Sequence, residues 1–422
     1  MKSQLFFIYG FGVTGKTYLY EIIASKLRSE SRIVLTVASS GIAALLLPEG
    51  QTAHSIFSIP INIHEFSTCS VKKHSNLAEL LRRAELVIWD EAPMSHRFCF
   101  EAENRTLNDI CEVQDGVFFG GKTFVLGGDF RQTLPMVEEG DEYATISASI
   151  IKSELWSNFE VLSLTENMRL KQPNMTDNEK EAVKEFANWI VRVGDGDVLG
   201  VSFKADEDEN WIKIPEKYLV KAGPNPTYTI FNEVYPGFLT QYGDADYLKR
   251  RSIVTPLNDT VNIINSQILS LMPGDVQSYL SYDCLNTNQS DYGHARQLYP
   301  AEFLNTLAAN GLPDHNLLFK TNCSVMLLRN LDPSRGLCNG TRMIVKRCTE
   351  NVVEAVIVSG SKIGEIAHIP RISLSAKNKK ETKPSSVHSG MNISGMKIRV
   401  NLFTISTFFR INHFHWNEDH KS

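Results

Sequence analysis

Residues 8–17 read IYGFGVTGKT, and Leu5, Phe6 and Phe7 precede them. The stretch fits G-x-x-x-x-G-K-[ST], a pattern that makes physical sense only between a buried strand and a helix. Leu5 to Tyr9 reads as a short apolar strand. From Lys16, apolar residues recur at Leu19, Ile22, Ile23 and Leu27, which is helical spacing. Glycines at 10, 12 and 15 let the backbone curl so that its amides face inward as an anion nest, and the helix N-terminus adds partial positive charge. Gly10, Gly12, Thr14, Gly15, Lys16 and Thr17 are therefore expected to bind a nucleotide, ATP, with Lys16 reaching the β- and γ-phosphates and the Thr17 hydroxyl ligating Mg²⁺. Val13 stands where such loops usually carry glycine. If the position takes a positive φ, a β-branched residue there stores on the order of 1–3 kcal/mol. Replacing it by glycine is then expected to raise nucleotide affinity.

A strand-then-helix alternation continues through the first third. RIVLTVA (32–38), LVIWDEA (86–92) and KTFVLGGDF (122–130) read as buried strands; SGIAALLLPEG (40–50), SNLAELLRRAE (75–85) and FEAENRTLNDICEV (100–113) read as helices. This implies an α/β fold with a parallel sheet, helices on both faces and ligands at the carboxyl ends of the strands. The texture changes after VLSLTENMR (161–169). A helical stretch from Asn178 to Val193 and the acidic run ADEDEN (205–210) read as a hinge. A second alternation starts at 252–269, residues 317–358 are rich in short β-like pieces, and from Ala376 the pattern dissolves into Lys, Ser, Thr and Asn. The domains are therefore expected at 1–170, 251–376 and, as a disordered tail, 377–422, with 171–250 as the linker.

Composition narrows the function. A net charge of −5 gives no global pull toward nucleic acid, so contacts to it must come from local patches such as Lys72-Lys73-His74, Arg82-Arg83 and Lys249-Arg250-Arg251, each of which, taken alone, reads better as a solvated face. Seven cysteines without C-x-x-C spacing argue for a reducing compartment and against a zinc module. His413 and His415 are too isolated for a metal site. No run approaches a membrane span, and the N-terminal apolar run feeds directly into the loop, so neither a membrane nor a secretory signal is expected.

Two strand ends add chemistry to the loop. In LVIWDEA, Asp90 can hold Mg²⁺ through water and Glu91 can accept a proton from the attacking water. In VLGGDFRQTLP, Gln132 can orient that water or sense a γ-phosphate. In LTENMR, Arg169 can stabilise charge on the transferring phosphoryl group, with a structural salt bridge as the alternative.

Taken together, GFGVTGKT, VASSGIAALLLPEGQTAHSIFSIP, LVIWDEAPM, LGGDFRQTLP, LTENMRL, VTPLNDTVNIIN and LLRNLDPSRGLCNGTRMIV resemble the PIF-type (petite integration frequency) DNA helicases of superfamily one, in the branch associated with Helitron transposons. The resemblance covers residues 1–375 in order and spacing. It implies two RecA-like motor domains with a small β-barrel-like insertion, ATP with Mg²⁺ between the domains, and five-prime to three-prime movement on single-stranded DNA. Forked or junction DNA is the implied partner, and DNA repair, recombination and telomere maintenance are the implied settings, in the nucleus or alternatively the mitochondrion. Carried over, Lys16, Thr17, Asp90, Glu91, Gln132 and Arg169 keep the roles just given. GQTAHSIFSIP resembles the strand-gripping loop, which places Thr52, His54 and Phe57 near DNA, Phe57 with a stacking face; a core role for Phe57 is the alternative.

Three departures qualify the resemblance. Phe11 and Val13 replace a proline and a glycine of the loop. An adenine-recognising segment upstream is not found, nor is a run resembling Thr-Ile-Asn-Lys-Ser-Gln-Gly-Gln-Thr after RISLS, so the second motor domain is expected to be incomplete and the chain truncated at both ends. The competing expectations are a remnant that binds nucleotide or DNA without unwinding, and a P-loop switch protein.

Overall fold

The computed structural model describes residues 4–114, 116–137, 140–171, 175–198, 200–201, 211–255, 257–285, 301–305, 314–360, 362–375, 391–396 and 398–400. The chain divides into two compact units that part between Tyr218 and Leu219.

In the first unit, β1 (Leu5–Gly10), α1 (Lys16–Ser29), β2 (Val34–Ala38), α2 (Gly41–Leu45), β3 (Gln51–Thr52), α3 (Ala53–Ile56), α4 (Asn76–Arg83), β4 (Leu86–Asp90), α5 (Arg97–Cys111), β5 (Thr123–Gly128), α6 (Glu142–Ser147) and β6 (Glu160–Leu164) follow in sequence. The six strands form one parallel sheet in the order β3-β2-β4-β5-β1-β6. Side chains leave it with period two. Phe7, Val87, Trp89, Phe124 and Leu126 enter one core with Phe100 and Leu107 of α5. Ile8, Leu86, Ile88 and Val125 enter the other with Tyr20 and Ala24 of α1. Apolar side chains on both faces explain why the strands read as continuous hydrophobic runs. The helix α7 (Asp177–Asp195) starts at a capping box, in which Thr176 and Glu179 satisfy each other's backbone amides, and the strand pair β7 (Gly200–Val201) and β8 (Trp211–Ile212) follows it.

The second unit contains α8 (Pro226–Val234), α9 (Phe238–Gln241), α10 (Ala245–Lys249), α11 (Asn258–Leu271), β9 (Gln277–Leu280), β10 (Tyr282–Leu285), α12 (Ala301–Leu304), β11 (Asn316–Phe319), β12 (Ser324–Leu327), β13 (Arg342–Cys348), β14 (Val352–Ile357), β15 (Ile366–Ser375), β16 (Met391–Met396) and β17 (Ile398–Val400). An antiparallel sheet runs in the order β10-β16-β15-β14-β13-β12-β17, and β9 pairs with β11.

The α/β class and the parallel first unit agree with the expectation; three boundaries differ. The expected linker 171–250 contains the division between the two units, but from Leu219 onward it is part of the second unit. Phe231, Tyr235, Phe238, Tyr247 and Leu248 are buried in the core of the second unit with Val325, Met343 and Ala355, because their spacing gives α8–α10 a common apolar side. The β region extends well past 317–358. The tail is not structureless throughout, since the outer edge of β15 offers unpaired backbone groups and β16 fills it. Of the second alternation the helix α11 forms, but the described residues before it give only an isolated bridge at Val254. The run 205–210, residues 376–390 and residues 401–422 lie outside the described residues.

Candidate nucleotide site

The loop between β1 and α1 is wound tightly around its own carbonyls. Thr14 donates its hydroxyl to the Phe11 carbonyl at 2.9 Å, and buried Lys16 donates Nζ to the Gly10 carbonyl at 2.5 Å. Gly10 cannot carry a side chain, because a Cβ there would lie 2.5 Å from Thr14 Oγ1 and 3.2 Å from Leu164. Gly15 takes φ 90°, which favours glycine, and Val13 takes φ 74°, which does not. The Val13 carbonyl accepts the Met168 N–H at 3.0 Å, so the turn after β6 braces the loop. No side chain caps the start of α1. Its first amides and macrodipole are therefore available to an anion.

Lys16 lies within electrostatic reach of carboxylates at the end of β4, two strands from β1 in the sheet. Asp90, at the end of β4, is buried and accepts the Glu91 amide on Oδ1 at 3.0 Å. Burial raises the Asp90 carboxyl above its ordinary range, opposed by that hydrogen bond and by the charge of Lys16. Glu91, held at φ 53° where the chain turns, is raised by burial and then by the charge of Asp90, with Lys16 pulling it down and Asp129 adding to the rise. Asp129, buried just past β5, accepts the Arg131 amide at 3.1 Å and Gln132 Nε2 at 3.2 Å. Gln132 is thus held by a carboxylate that is electrostatically coupled to Glu91. The loop, Asp90, Glu91 and Gln132 converge at the carboxyl end of the sheet. The hard oxygens of Thr17 and Asp90 suit Mg²⁺, which keeps most of its waters and takes one or two protein ligands.

Asp129 was missed by the sequence reading, although it lies in the quoted run GGDFRQTLP. Its signal was an Asp followed two and three residues later by groups that donate back to it, an Asx-type turn. Ser39 was missed as well; its amide bonds the Asp90 carbonyl at 3.2 Å, and its hydroxyl accepts Trp89 Nε1 at 2.9 Å, locking the ends of β2 and β4 together.

Arg169 falls in the short turn Met168–Lys171, next to the residue that braces the loop, but its side chain lies outside the described residues. Thr52 and His54 sit at the opposite edge of the sheet, on β3 and the start of α3. Four strand spacings separate β3 from β1, about 19 Å. Phe57 does not offer a stacking face. It is 1 % exposed and stacks on Trp89 at 5.9 Å, because the turn after α3 drives its ring inward between sheet and helix. Beyond this segment Phe66 is exposed, at 79 %.

Two further observations limit the chemistry. Among the described residues no cluster of three His, Cys, Asp or Glu side chains fits a metal cage, and no helix is long and apolar enough to cross a membrane.

Residues 1–202 match the profile of the PIF1-like helicases, and residues 302–347 match that of the DNA helicase Pif1 2B domain. The chain is 25% identical over 337 residues to the ATP-dependent DNA helicase Pif1 of Psychrobacter sp. (strain PRwf-1), covering 79% of this chain and 43% of that protein. It is 30% identical over 185 residues to the ATP-dependent DNA helicase PIF1 of Emericella nidulans, covering 42% of this chain and 24% of that one. The chain spans less than half the length of the curated relatives it matches. The crystal structure of Pif1 helicase from Bacteroides in complex with ADP-AlF3 and ssDNA shares the fold, with a TM-score of 0.61 at 19% identity over 96% of this chain and 79% of that chain. The two profiles fall one on each unit, the first spanning the loop, Asp90, Glu91, Asp129 and Gln132. The chain is thus similar to the PIF1-like helicases over its first 202 residues and to the Pif1 2B domain over residues 302–347.

Proposed function

We propose that this chain is an ATP-dependent motor of the DNA helicase kind, which couples hydrolysis to movement on single-stranded DNA. The observation that carries the reading is buried Lys16 within electrostatic reach of Asp90 and Glu91 at the mouth of a preformed phosphate loop. Nζ rests on the Gly10 carbonyl. A phosphate entering the loop offers Lys16 a charged acceptor in exchange, and the open amides of α1 complete the cradle. Magnesium, when bound with the nucleotide, neutralises charge on the β- and γ-oxygens. Glu91 has a raised carboxyl at the carboxyl end of the sheet and suits proton abstraction from water; Gln132, oriented by Asp129, suits holding that water.

Relatives bear on the partner. The Bacteroides helicase was crystallised with ssDNA and with ADP-AlF3, and another structure of the family concerns unwinding at forked dsDNA. The same partners are proposed here, with five-prime to three-prime polarity, roles in repair, recombination and telomere maintenance, and a nuclear or alternatively mitochondrial setting. Thr52 and His54 are proposed as strand contacts. Val13 at φ 74° favours a second reading, in which nucleotide and DNA are bound but not productively coupled.

The test is a pair of substitutions. Lys16→Ala should weaken nucleotide binding at least about ten-fold, whereas Glu91→Gln should keep binding and lower DNA-stimulated hydrolysis by about 10²–10⁴. Equal nucleotide affinity for wild type and Lys16→Ala would sink the assignment. Nucleotide binding with no DNA-stimulated hydrolysis in the wild type would select the second reading.

A further inference from the structure

Tyr20 is completely buried in α1, yet its hydroxyl has no hydrogen-bond partner. Phenylalanine would fill the same space without leaving a buried polar group unpaired. The hydroxyl has a definite seat. A Cβ on Gly127 would lie 1.7 Å from Tyr20 Oη, so the oxygen occupies the notch that this glycine leaves in β5. On β4, Trp89 pairs with Leu126, which brings Asp90 level with Gly127. Face parity agrees. Leu86 and Ile88 on β4 and Val125 on β5 share a core with Tyr20, while Val87, Trp89 and Leu126 enter the opposite one. Asp90 and Gly127, two residues on from Ile88 and Val125, therefore belong to the Tyr20 side of the sheet. One Asp90 oxygen already accepts the Glu91 amide.

We propose that Tyr20 is a positioning residue for the magnesium site, its hydroxyl donating to the second oxygen of the Asp90 carboxylate when nucleotide and metal are bound. This rests on the nucleotide-site reading above. Burial first, and then the charges of Asp90 and Glu91, disfavour ionisation of Tyr20. The hydroxyl thus remains a donor throughout the working pH range.

The experiment compares full-length wild type and Tyr20→Phe by titrating a fluorescent ADP analogue, first in EDTA and then across Mg²⁺ concentrations. Affinity in EDTA should be equal. The Mg²⁺ concentration giving half of the affinity enhancement should rise about ten-fold in the variant, the scale of one hydrogen bond to a charged group. Asp90→Asn should abolish that difference, so Tyr20→Phe added to it changes nothing further. A merely structural role would give effects that add instead. Equal Mg²⁺ midpoints for wild type and Tyr20→Phe, or full additivity with Asp90→Asn, overturns the proposal. Absence of nucleotide binding by the wild type in either medium would instead overturn the nucleotide-site reading, and the proposal with it.

Discussion

Val13 holds a β-branched side chain at φ 74°, a conformation that costs on the order of 1–3 kcal/mol. Contacts within the fold hold the loop in it: the Met168 amide bonds the Val13 carbonyl and Lys16 Nζ bonds the Gly10 carbonyl. The strain therefore falls on folding rather than on binding. Val13→Gly should raise stability by about 1 kcal/mol, the relief of strain less the extra freedom of glycine in the unfolded chain. It should leave nucleotide affinity nearly unchanged, against the expectation drawn from sequence. A urea midpoint at or below wild type, or an affinity gain near ten-fold, would show that the strain lies elsewhere. The positive φ itself was legible, because the loop pattern places glycine at this position. Asp129 and Tyr20 were not: one acts through a turn geometry, the other through a notch left by a glycine over a hundred residues away. Phe57 misled because a four-residue helix is too short to fix which way the following residue points.

At the scale of elements, α5 shows where pattern reading ends. The run 100–113 announced a helix, and Cys99, Phe100, Ala102, Thr106, Leu107 and Ile110 line its buried side at the expected spacing. Glu103 lies in the same stripe, 1 % exposed, with neither carboxyl oxygen paired. A charged residue type signals the solvent face, so sequence could not place it. Burial alone raises its carboxyl well above the ordinary 4.5, so the folded protein keeps it protonated while the unfolded chain ionises it. The sign follows. Folded-state stability is complete below about 4.5 and is lost as pH rises toward the folded value, at about 1.4 kcal/mol per pH unit. Glu103→Met removes the titration at similar volume. Its stability advantage over wild type in urea unfolding should be larger at pH 8 than at pH 5, whereas an advantage independent of pH would show the carboxyl to be paired. The ends of α4 and α5 carry a second lesson. Lys73 bridges Asp109 and Glu112, at 3.5 and 3.1 Å, and Arg82 donates to the Ile110 carbonyl at 3.1 Å. In sequence Lys73 and Arg82 are also candidates for a nucleic-acid patch.

For the whole molecule, the parallel unit was legible because strand and helix alternate at lengths that admit one architecture, whereas the second unit was legible only in part. Its β-like pieces were seen, but nothing in them distinguishes a small insertion from a sheet that recruits Met391–Met396 and Ile398–Val400 from beyond a polar run. The charge distribution leads to the last prediction. With a net charge of −5, and with Lys73, Arg82 and Arg251 engaged in local contacts, the three basic patches offer few cations to phosphates. Lys72, Arg83 and Arg250 are exposed. Two to four phosphate contacts on a single strand would weaken binding by roughly seven- to fifty-fold between 50 and 200 mM salt. The remaining affinity would come from base stacking, which tolerates any sequence and requires unpaired bases, and Phe66 is one of several exposed aromatics able to supply it. Binding should therefore prefer single strands, ignore base sequence, and fall with salt less steeply than in strongly basic nucleic-acid proteins. Fluorescence anisotropy with labelled oligonucleotides measures all three. Phe66→Ala should lower single-strand affinity at every salt concentration without changing the slope, since it removes stacking and no charge. Salt-independent affinity, or tighter binding to a blunt duplex than to a single strand, would contradict this picture of the surface.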